Sequence, residues 1–183
     1  MGNVIVGATM SLDGFMNDRN GEVSRLYPDL EAVRRTEMLQ EEIRTTGAVV
    51  MGRRAYDMAE GDLTDYEYQV PIFVLTHHIP EQVAKGENDQ LTVTFVTDGI
   101  ASAIEKAKAA AGDKQVMVVG GAKTAQQCLR AGLVDEIHIG IVPVILGGGL
   151  RFFEPLDNEQ MELERTRIFE SPTRIDLWFR VVK

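Results

Sequence analysis

Several short segments at the ends of predicted strands carry residue types that could bind a phosphate group. In the first, the apolar, β-branched run 115–119 ends at Gly120 and Gly121, and a helical pattern begins near Lys123. A strand, a glycine corner and a helix N-terminus let an anion approach the backbone, because glycine lacks a Cβ and the first helical amides are unpaired. The pattern matches neither G-x-G-x-x-G nor the P-loop. A plain turn is the alternative interpretation.

Small, polar and basic residues also follow the ends of the other predicted strands. They are Ala8, Gly52, Arg53, Arg54, Thr76, His77, His78, Thr97 and Asp98. Ligands of open α/β sheets bind outside the carboxyl ends of the strands, and parallel strands would bring these residues to one edge. We therefore expect a site for a phosphate-rich ligand there. Alternatively, the arginines pair with Asp57 or Glu60, and the histidines are ordinary loop residues. A metal site is not indicated, since two histidines without a third ligand do not define one.

The acidic composition narrows the classes of partner. The formal net charge is −9 and the pI is near 4.9. Such a surface repels nucleic acid and anionic membranes, so we expect neither as a partner. The single cysteine, Cys128, excludes an internal disulfide and a cysteine-based zinc cluster. Its place in a predicted helix favours a buried, inert thiol over a nucleophile.

Size and the absence of targeting signals suggest a simple organisation. The chain has 183 residues, of which 44% are hydrophobic and 26% charged, as is typical of a soluble globular protein. We predict a single domain over residues 1–183. No signal peptide or membrane-spanning run is visible in the sequence, and we expect a cytoplasmic protein.

Hydrophobic periodicity divides the chain into strands and helices. Strands are predicted at residues 4–8, 48–51, 71–76, 92–96, 115–119, 136–142, 161–169 and 175–182. Helices are predicted at residues 29–45, 98–111 and 123–131, with Asp98 as an N-cap and with Gly47, Gly112 and Gly132 as helix ends. Residues 55–70 are predicted to form a loop with room for a helical turn. Five strands separated by helices or long loops, followed by a β-only tail, predict a mostly parallel sheet with an antiparallel edge.

Four motifs occur along the chain in a specific order. They are residues 11–14, residues 51–56, residues 119–121 with the helix that ends at 132–136, and residues 143–149. Together they resemble the dihydrofolate reductase-like superfamily, in the branch similar to the riboflavin-biosynthesis reductase domain. The resemblance covers nearly the whole chain. It implies a three-layer α/β fold with a central sheet of about eight strands and an antiparallel C-terminal hairpin.

The resemblance also implies an activity and a set of cofactor-binding residues. The activity is hydride transfer from NADPH to a small heterocyclic or carbonyl-bearing substrate, similar to a pteridine or a ribosylaminopyrimidine. The cofactor would be held by Gly52, Arg53, Arg54, Thr76, His77, Gly120, Gly121, Ala122, Lys123 and Thr124, with Ala8 near the nicotinamide. Arginines on the adenosine side, rather than an acid, predict a preference for NADPH over NADH. The family pattern further implies that the Gly120–Gly121 peptide can be cis.

The residue that would assist the chemistry is less defined. Asp13 is the candidate for orienting the substrate, although an aspartate in an Asp-Gly turn also has a structural interpretation. Dihydrofolate reductases place a carboxylate on the first helix to assist substrate protonation. The first helix here offers Asp29, Glu31, Glu37, Glu41 and Glu42. No sequence context selects one of them, so folate is not indicated as the substrate.

Two further expectations follow. A non-catalytic nucleotide-binding or ligand-sensing protein on the same fold is the alternative function, because a fold does not determine a function. Leu30 points away from the apolar stripe of the first helix, and the C-terminal strands add a second open surface. We therefore predict a homodimer.

Overall fold

The molecule is built around a twisted central sheet. The computed structural model describes residues 2–81, 84–154 and 160–183. The strands are β1 (Val4–Ser11), β2 (Thr46–Gly52), β3 (Ile72–Leu75), β4 (Val93–Val96), β5 (Gln115–Val119), β6 (Glu136–Val142), β7 (Leu163–Glu170) and β8 (Ile175–Val181). They form one eight-stranded sheet in the order β4-β3-β2-β5-β1-β6-β8-β7.

Helices lie on both faces of this sheet. They are α1 (Leu30–Arg34), α2 (Glu37–Thr45), α3 (Arg53–Met58), α4 (Ile100–Ala111) and α5 (Ala122–Arg130), and a 3₁₀ turn spans Ser24–Leu26. No helix among the described residues is long and apolar enough to cross a membrane.

The predicted strand directions are confirmed. Every neighbouring pair from β4 through to β6 is parallel. β8 pairs antiparallel with both β6 and β7, which gives the antiparallel C-terminal hairpin. The carboxyl ends of the parallel strands therefore meet at one edge of the sheet, as the sequence predicted.

Alternation along each strand divides the core between the two faces. On β1, Val4 and Val6 belong to the cluster that α4 and α5 cover, whereas Ile5 belongs to the cluster on the opposite face. The second cluster includes Tyr56 of α3, and Ile43 of α2 packs against it. Cross-strand partners share a face, so the sheet separates two apolar layers and the fold has three layers.

The predicted helix at residues 29–45 is wrong in detail, because two helices occupy this segment. The first helix, α1, ends at Arg34, and Thr36 begins a new one with extended backbone (φ −70°, ψ 142°). The Thr36 hydroxyl accepts a hydrogen bond from the amide of Leu39. Threonine competes for backbone hydrogen bonds and therefore favours N-caps over helix interiors, so an apolar stripe alone concealed this break.

Two other predicted helix boundaries differ from those in the structure. Gly47, predicted to end a helix, lies within β2. Asp98 is not the N-cap of α4; that position is Gly99, and no side chain caps it. The Asp98 carboxylate instead binds Ser102 and Lys106 on the exposed side of α4. The segment 55–70 was predicted to be a loop that could contain a helical turn. The structure has this turn, because α3 extends into the segment as far as Met58.

Candidate active site

Two glycine corners meet where β2 and β5 end side by side. The amide of Gly52 donates to the carbonyl of Gly120 over 3.3 Å. A Cβ at Gly52 would lie 2.5 Å from Oγ1 of Thr124, and a Cβ at Gly120 would lie 2.5 Å from Cβ of Ala55. Any side chain at these positions would push the two corners apart. The glycines are therefore required by close packing between β2, β5 and the start of α5.

The glycine corner exposes the N-terminus of α5. Gly121 is the N-cap, with φ 84° and ψ 101°, and no side chain caps the helix. The first intrahelical bonds come from the amides of Thr124 and Ala125, both to the carbonyl of Gly121. The amides of Ala122 and Lys123 precede these bonds and are available to an anion.

The cis conformation that the family pattern permits at this corner is not adopted. The described residues contain no cis peptide bond, so the Gly120–Gly121 peptide is trans. Both glycines instead have positive φ, 67° and 84°, a region that residues with a side chain rarely adopt. Two successive left-handed residues turn the chain from β5 into α5.

A groove of 560 Å³ runs along the carboxyl edge next to this corner. This volume lies within the range of small-molecule sites. Residues predicted to bind the cofactor that line it are Gly52, Arg53, Arg54, Thr76, His77, Gly121, Ala122, Lys123 and Thr124. Gly120 and Ala8 are not among the lining residues: a Cβ at Gly120 would lie against Ala55, and Ala8 packs against the core from β1.

The two arginines of the groove differ in their hydrogen bonds and in their exposure to solvent. Arg53 donates from Nε to Asp57 over 2.7 Å and from Nη1 to the carbonyl of His78 over 3.0 Å. The predicted alternative, pairing with Asp57, is thus confirmed for this residue. Arg54 is exposed and reaches toward the loop 17–21, where a Cβ at Gly21 would lie 2.8 Å from its Nη2.

The remaining polar groups make the groove a local basic site in an acidic protein. Thr76 accepts from the amide of His78 and donates to its carbonyl over 2.8 Å, which closes a turn and leaves His77 exposed. Lys123 is exposed at the first turn of α5. With Arg53 and Arg54 it concentrates positive charge beside the unpaired helix amides, which favours an anionic ligand.

Asp13 has a structural environment. Its carboxylate accepts hydrogen bonds from Oγ of Ser11 and from the amides of Leu146 and Gly147, at 2.6, 3.1 and 2.8 Å. These bonds, that of Ser11 foremost, lower the pKa of Asp13 to about 2. The side chain therefore joins the turn after β1 to the loop 146–147 and stays ionised at neutral pH.

A second polar cluster, which we call the buried charge chain, was not predicted from the sequence. It consists of Glu42, His138, Asp176 and Arg174. His138 contacts Glu42 through Nδ1 and Asp176 through Nε2, both over 2.9 Å. Arg174 binds Asp176 through Nε at 2.8 Å and Nη2 at 2.5 Å. Tyr68 donates its hydroxyl to Glu42, so α2, β6 and β8 are joined by alternating charges.

The members of this chain fix each other's protonation states. Burial alone would lower the pKa of His138, but its hydrogen bonds to Asp176 and Glu42 outweigh burial and raise that pKa. Burial would raise the pKa values of Glu42 and Asp176, yet the hydrogen bonds from His138, and from Arg174 at Asp176, bring both below their ordinary values. Trp178 stacks on the imidazole with ring centroids 4.0 Å apart. His138 is thus a buried cation between two carboxylates.

The sequence offered little signal for this cluster. Glu42 is one of five carboxylates on the first predicted helix, and no sequence context distinguishes it from the others. Its partners are far away along the chain. His138 and Asp176 interrupt apolar strands, which was the one usable sign of a buried polar role. Cys128, by contrast, is buried as predicted, and burial raises its pKa to about 12.

Comparison with known proteins places the chain in a family. The model of the RibD C-terminal domain matches residues 3–177. The protein YyaP of Bacillus subtilis is 27% identical over 178 residues, which cover 92% of this chain and 89% of YyaP.

Solved structures share the fold at low sequence identity. A Shewanella sp. PV-4 protein whose name refers to riboflavin biosynthesis superimposes with a TM-score of 0.80 at 23% identity, covering 99% of both chains. The riboflavin biosynthesis reductase of Saccharomyces cerevisiae gives a TM-score of 0.62 at 16% identity, and the match covers 99% of this chain and 90% of the reductase. Dihydrofolate reductase of Enterococcus faecalis, complexed with NADP(H), gives a TM-score of 0.62 at 15% identity. The match covers 99% of this chain and 97% of the reductase. The fold is dihydrofolate reductase-like, and the chain belongs to the RibD C-terminal domain family.

Proposed function

We propose that this protein is an NADPH-dependent reductase that transfers a hydride to a small heterocyclic or carbonyl-bearing substrate. The substrate class would be similar to a pteridine or a ribosylaminopyrimidine. Family membership supports a reductase, and the Enterococcus faecalis neighbour is complexed with NADP(H). The observation that carries the proposal is the groove in which two glycine corners, the open N-terminus of α5 and three cationic side chains lie together.

The groove residues fit the chemical parts of a nicotinamide dinucleotide phosphate. The amides of Ala122 and Lys123 would bind the pyrophosphate, which can approach because Gly121 carries no Cβ. Arg53 and Arg54 would bind the adenosine phosphate, since guanidinium groups form paired, charge-assisted bonds to phosphate. Ala8, on the central strand β1, would lie near the nicotinamide.

The protein's part in the reaction would be positioning and exclusion of water. When bound, the nicotinamide supplies the hydride. The chain would hold the cofactor along the carboxyl edge and orient the substrate against it. Asp13 does not suit proton donation at neutral pH, because its low pKa keeps it ionised and both carboxylate oxygens accept hydrogen bonds. Water or the substrate would supply the proton, and Asp13 would orient the loop 146–147.

Turnover distinguishes this proposal from a nucleotide-binding protein without activity. NADPH oxidation is followed by its absorbance with panels of pteridines, ribosylaminouracils and simple carbonyl compounds, while NADPH binding is measured in parallel by calorimetry. We expect binding and oxidation with at least one heterocyclic class. Binding without oxidation across all panels would favour the non-catalytic alternative, and absence of NADPH binding would contradict the reductase.

A further inference from the structure

The centre of the sheet is open where β1 approaches its carboxyl end. β1 lies between β5 and β6, and its first residues, Val4 to Val6, are fully buried. The next four, Gly7 to Met10, are only partly buried. A central strand is normally covered on both faces in such a fold. The partial exposure leaves the surface along the end of β1 open, at the same edge of the sheet as the cofactor groove; we call this open surface the cleft.

Strand register explains which side chains line this floor. Thr9, Gly140 and Asp176 are direct neighbours across β1, β6 and β8, so they project from the same face. Gly140 leaves a gap in the middle of this row. The guanidinium of Arg174 fills the gap, and a Cβ at Gly140 would overlap Nη2.

The hydrogen bonds of Arg174 leave one edge of its guanidinium open. Nε and Nη2 bind Asp176, and Nη2 also donates to Oγ1 of Thr9 over 3.3 Å. No described residue accepts a hydrogen bond from Nη1. Nη1 is also not a buried atom that lacks a partner, since among the described residues only the hydroxyl of Tyr56 is one. Nη1 is therefore the one guanidinium nitrogen without a protein acceptor among the described residues, and Arg174 as a whole is 8% exposed.

The cleft thus presents hydrogen-bond donors that are held rigidly. Arg174 is fixed by Asp176, Asp176 by His138, and His138 by Glu42. Thr9 accepts from Arg174, and none of the described residues accepts the hydrogen of its hydroxyl. Both groups are therefore free to donate to a ligand, and the guanidinium offers it no acceptor.

Charge identifies the kind of acceptor that would suit these donors. The two carboxylates of the buried charge chain balance the imidazolium and the guanidinium, so the cluster is neutral as a whole. A neutral cluster gives little net attraction to a phosphate dianion. The groove differs, because among the described residues only one of its three cations, Arg53, pairs with a carboxylate. Preorganised N–H and O–H donors in such a place suit an uncharged oxygen acceptor.

We propose that Arg174, with Thr9, is a substrate-specificity determinant that donates hydrogen bonds to a ring carbonyl oxygen of the substrate. Glu42, His138 and Asp176 are positioning residues that hold the guanidinium in place. This inference rests on the proposed reductase function. It narrows the substrate class to planar heterocycles that present a carbonyl, rather than an amino group, to this part of the cleft.

A matched pair of ring compounds tests the inference without knowledge of the natural substrate. Pteridine-2,4-dione and 2,4-diaminopteridine have the same ring system, but the first presents carbonyl oxygens where the second presents amino groups. Both fluoresce, so their dissociation constants can be measured with and without NADPH. We expect the parent protein to bind the dione at least tenfold more tightly.

Three variants separate recognition from folding. Arg174→Met should abolish the preference for the dione, and Arg174→Lys should retain only part of it because a single ammonium cannot copy the guanidinium. If Arg174→Met fails to fold, the double variant Arg174→Met with Asp176→Asn replaces it, because the double variant keeps the cluster neutral and should fold. Arg180→Met, which changes an exposed arginine of β8, is the control and should leave the preference unchanged.

The outcomes distinguish failure of this inference from failure of the proposed function. Equal affinity for the two rings in the parent, or an undiminished preference in the neutral double variant, would overturn the role of Arg174 even if the protein oxidises NADPH. A preference that depends on Arg174 in a protein that never oxidises NADPH would support the recognition site and contradict the reductase.

Discussion

The groove at the carboxyl edge and the buried charge chain contain the same types of charged residue, but the two regions differ in whether those charges are paired. In the groove, Arg54, His77 and Lys123 are exposed, and the first amides of α5 have no helical partner. In the buried charge chain, His138 and Asp176 are buried and each is bound on both sides. Charges left open are suited to bind a ligand, whereas charges that satisfy each other join parts of the framework.

The difference has an energetic basis. An exposed ion pair gains little because water screens it. A buried pair need not stabilise the fold relative to apolar residues, but removing one partner leaves an uncompensated charge in a poorly solvated place. The two regions should therefore respond very differently to equivalent substitutions.

The largest expected effect comes from breaking the buried charge chain. Asp176→Ala leaves both His138 and Arg174 without their shared carboxylate, and should lower the free energy of unfolding by about 3–5 kcal/mol. Asp57→Ala is the matched control, because it removes the carboxylate from the exposed pair with Arg53 and should cost about 0–1 kcal/mol. Urea denaturation of the three proteins measures both values. Equal losses would erase the distinction between the regions.

The next effect concerns the groove. Gly121→Val places a branched side chain at the N-terminus of α5 and should weaken NADPH binding by about 100-fold, or about 2.7 kcal/mol. Gly132→Val is the control for backbone strain, because Gly132 also has a positive φ (64°) and a Cβ there would meet no atom within 4 Å. Calorimetry should show normal affinity in the control. A similar loss in both variants would mean that strain, not the groove, explains the result.

The buried charge chain should also make stability depend on pH. The raised pKa of His138 means that its contribution is complete below the ordinary value near 6.5 and is lost as pH rises through the folded-state value. The lowered pKa values of Glu42 and Asp176 act oppositely, so their contributions are lost in acid. The combined contribution is therefore greatest between the ordinary carboxylate and histidine pKa values. Each tenfold change in proton affinity on folding corresponds to about 1.4 kcal/mol of stability.

Comparison with a variant isolates this dependence. Free energies of unfolding of the parent and of His138→Gln, measured by urea denaturation from mildly acidic to alkaline pH, should converge as the pH rises. The variant's glutamine cannot lose the proton in question. A constant difference across this range would contradict a buried histidine cation.

The smallest expected effect separates the two arginines of the groove. The parent should prefer NADPH over NADH by about tenfold, or about 1.4 kcal/mol, because one arginine binds the adenosine phosphate. Arg53 is the expected contributor, since it directly follows Gly52. Its exposed pair with Asp57 is worth only about 0–1 kcal/mol, so a phosphate can replace the carboxylate. Arg53→Ala should remove the preference and Arg54→Ala should not. Equal parent affinities for the two cofactors would contradict this, as would variants that lose both cofactors alike.

The fold and the groove could largely be predicted because their signals are local. Apolar runs located the strands, and glycines after strand ends located the corners at Gly52 and Gly120. Parallel pairing then brings those corners together without further information. The break before Thr36 could not be predicted from an apolar stripe, because the hydroxyl that caps α2 leaves the spacing unchanged.

The buried charge chain could not be predicted because it exists only through long-range contacts. Glu42 and His138 are 96 positions apart, and His138 and Asp176 are 38 positions apart. Neither residue type nor spacing links them. The role of Gly140 is also invisible in the sequence, since the gap that it leaves has meaning only beside Arg174, which lies in the turn before β8.

A crystal structure of the protein grown with NADPH tests the central claim most directly. We predict that the cofactor lies in the groove at the carboxyl edge, with its pyrophosphate at the amides of Ala122 and Lys123 and its adenosine phosphate within hydrogen-bond distance of Arg53. The nicotinamide should lie beside Ala8, next to the cleft that contains Arg174. A cofactor bound elsewhere, or an empty groove at saturating NADPH, would contradict the account.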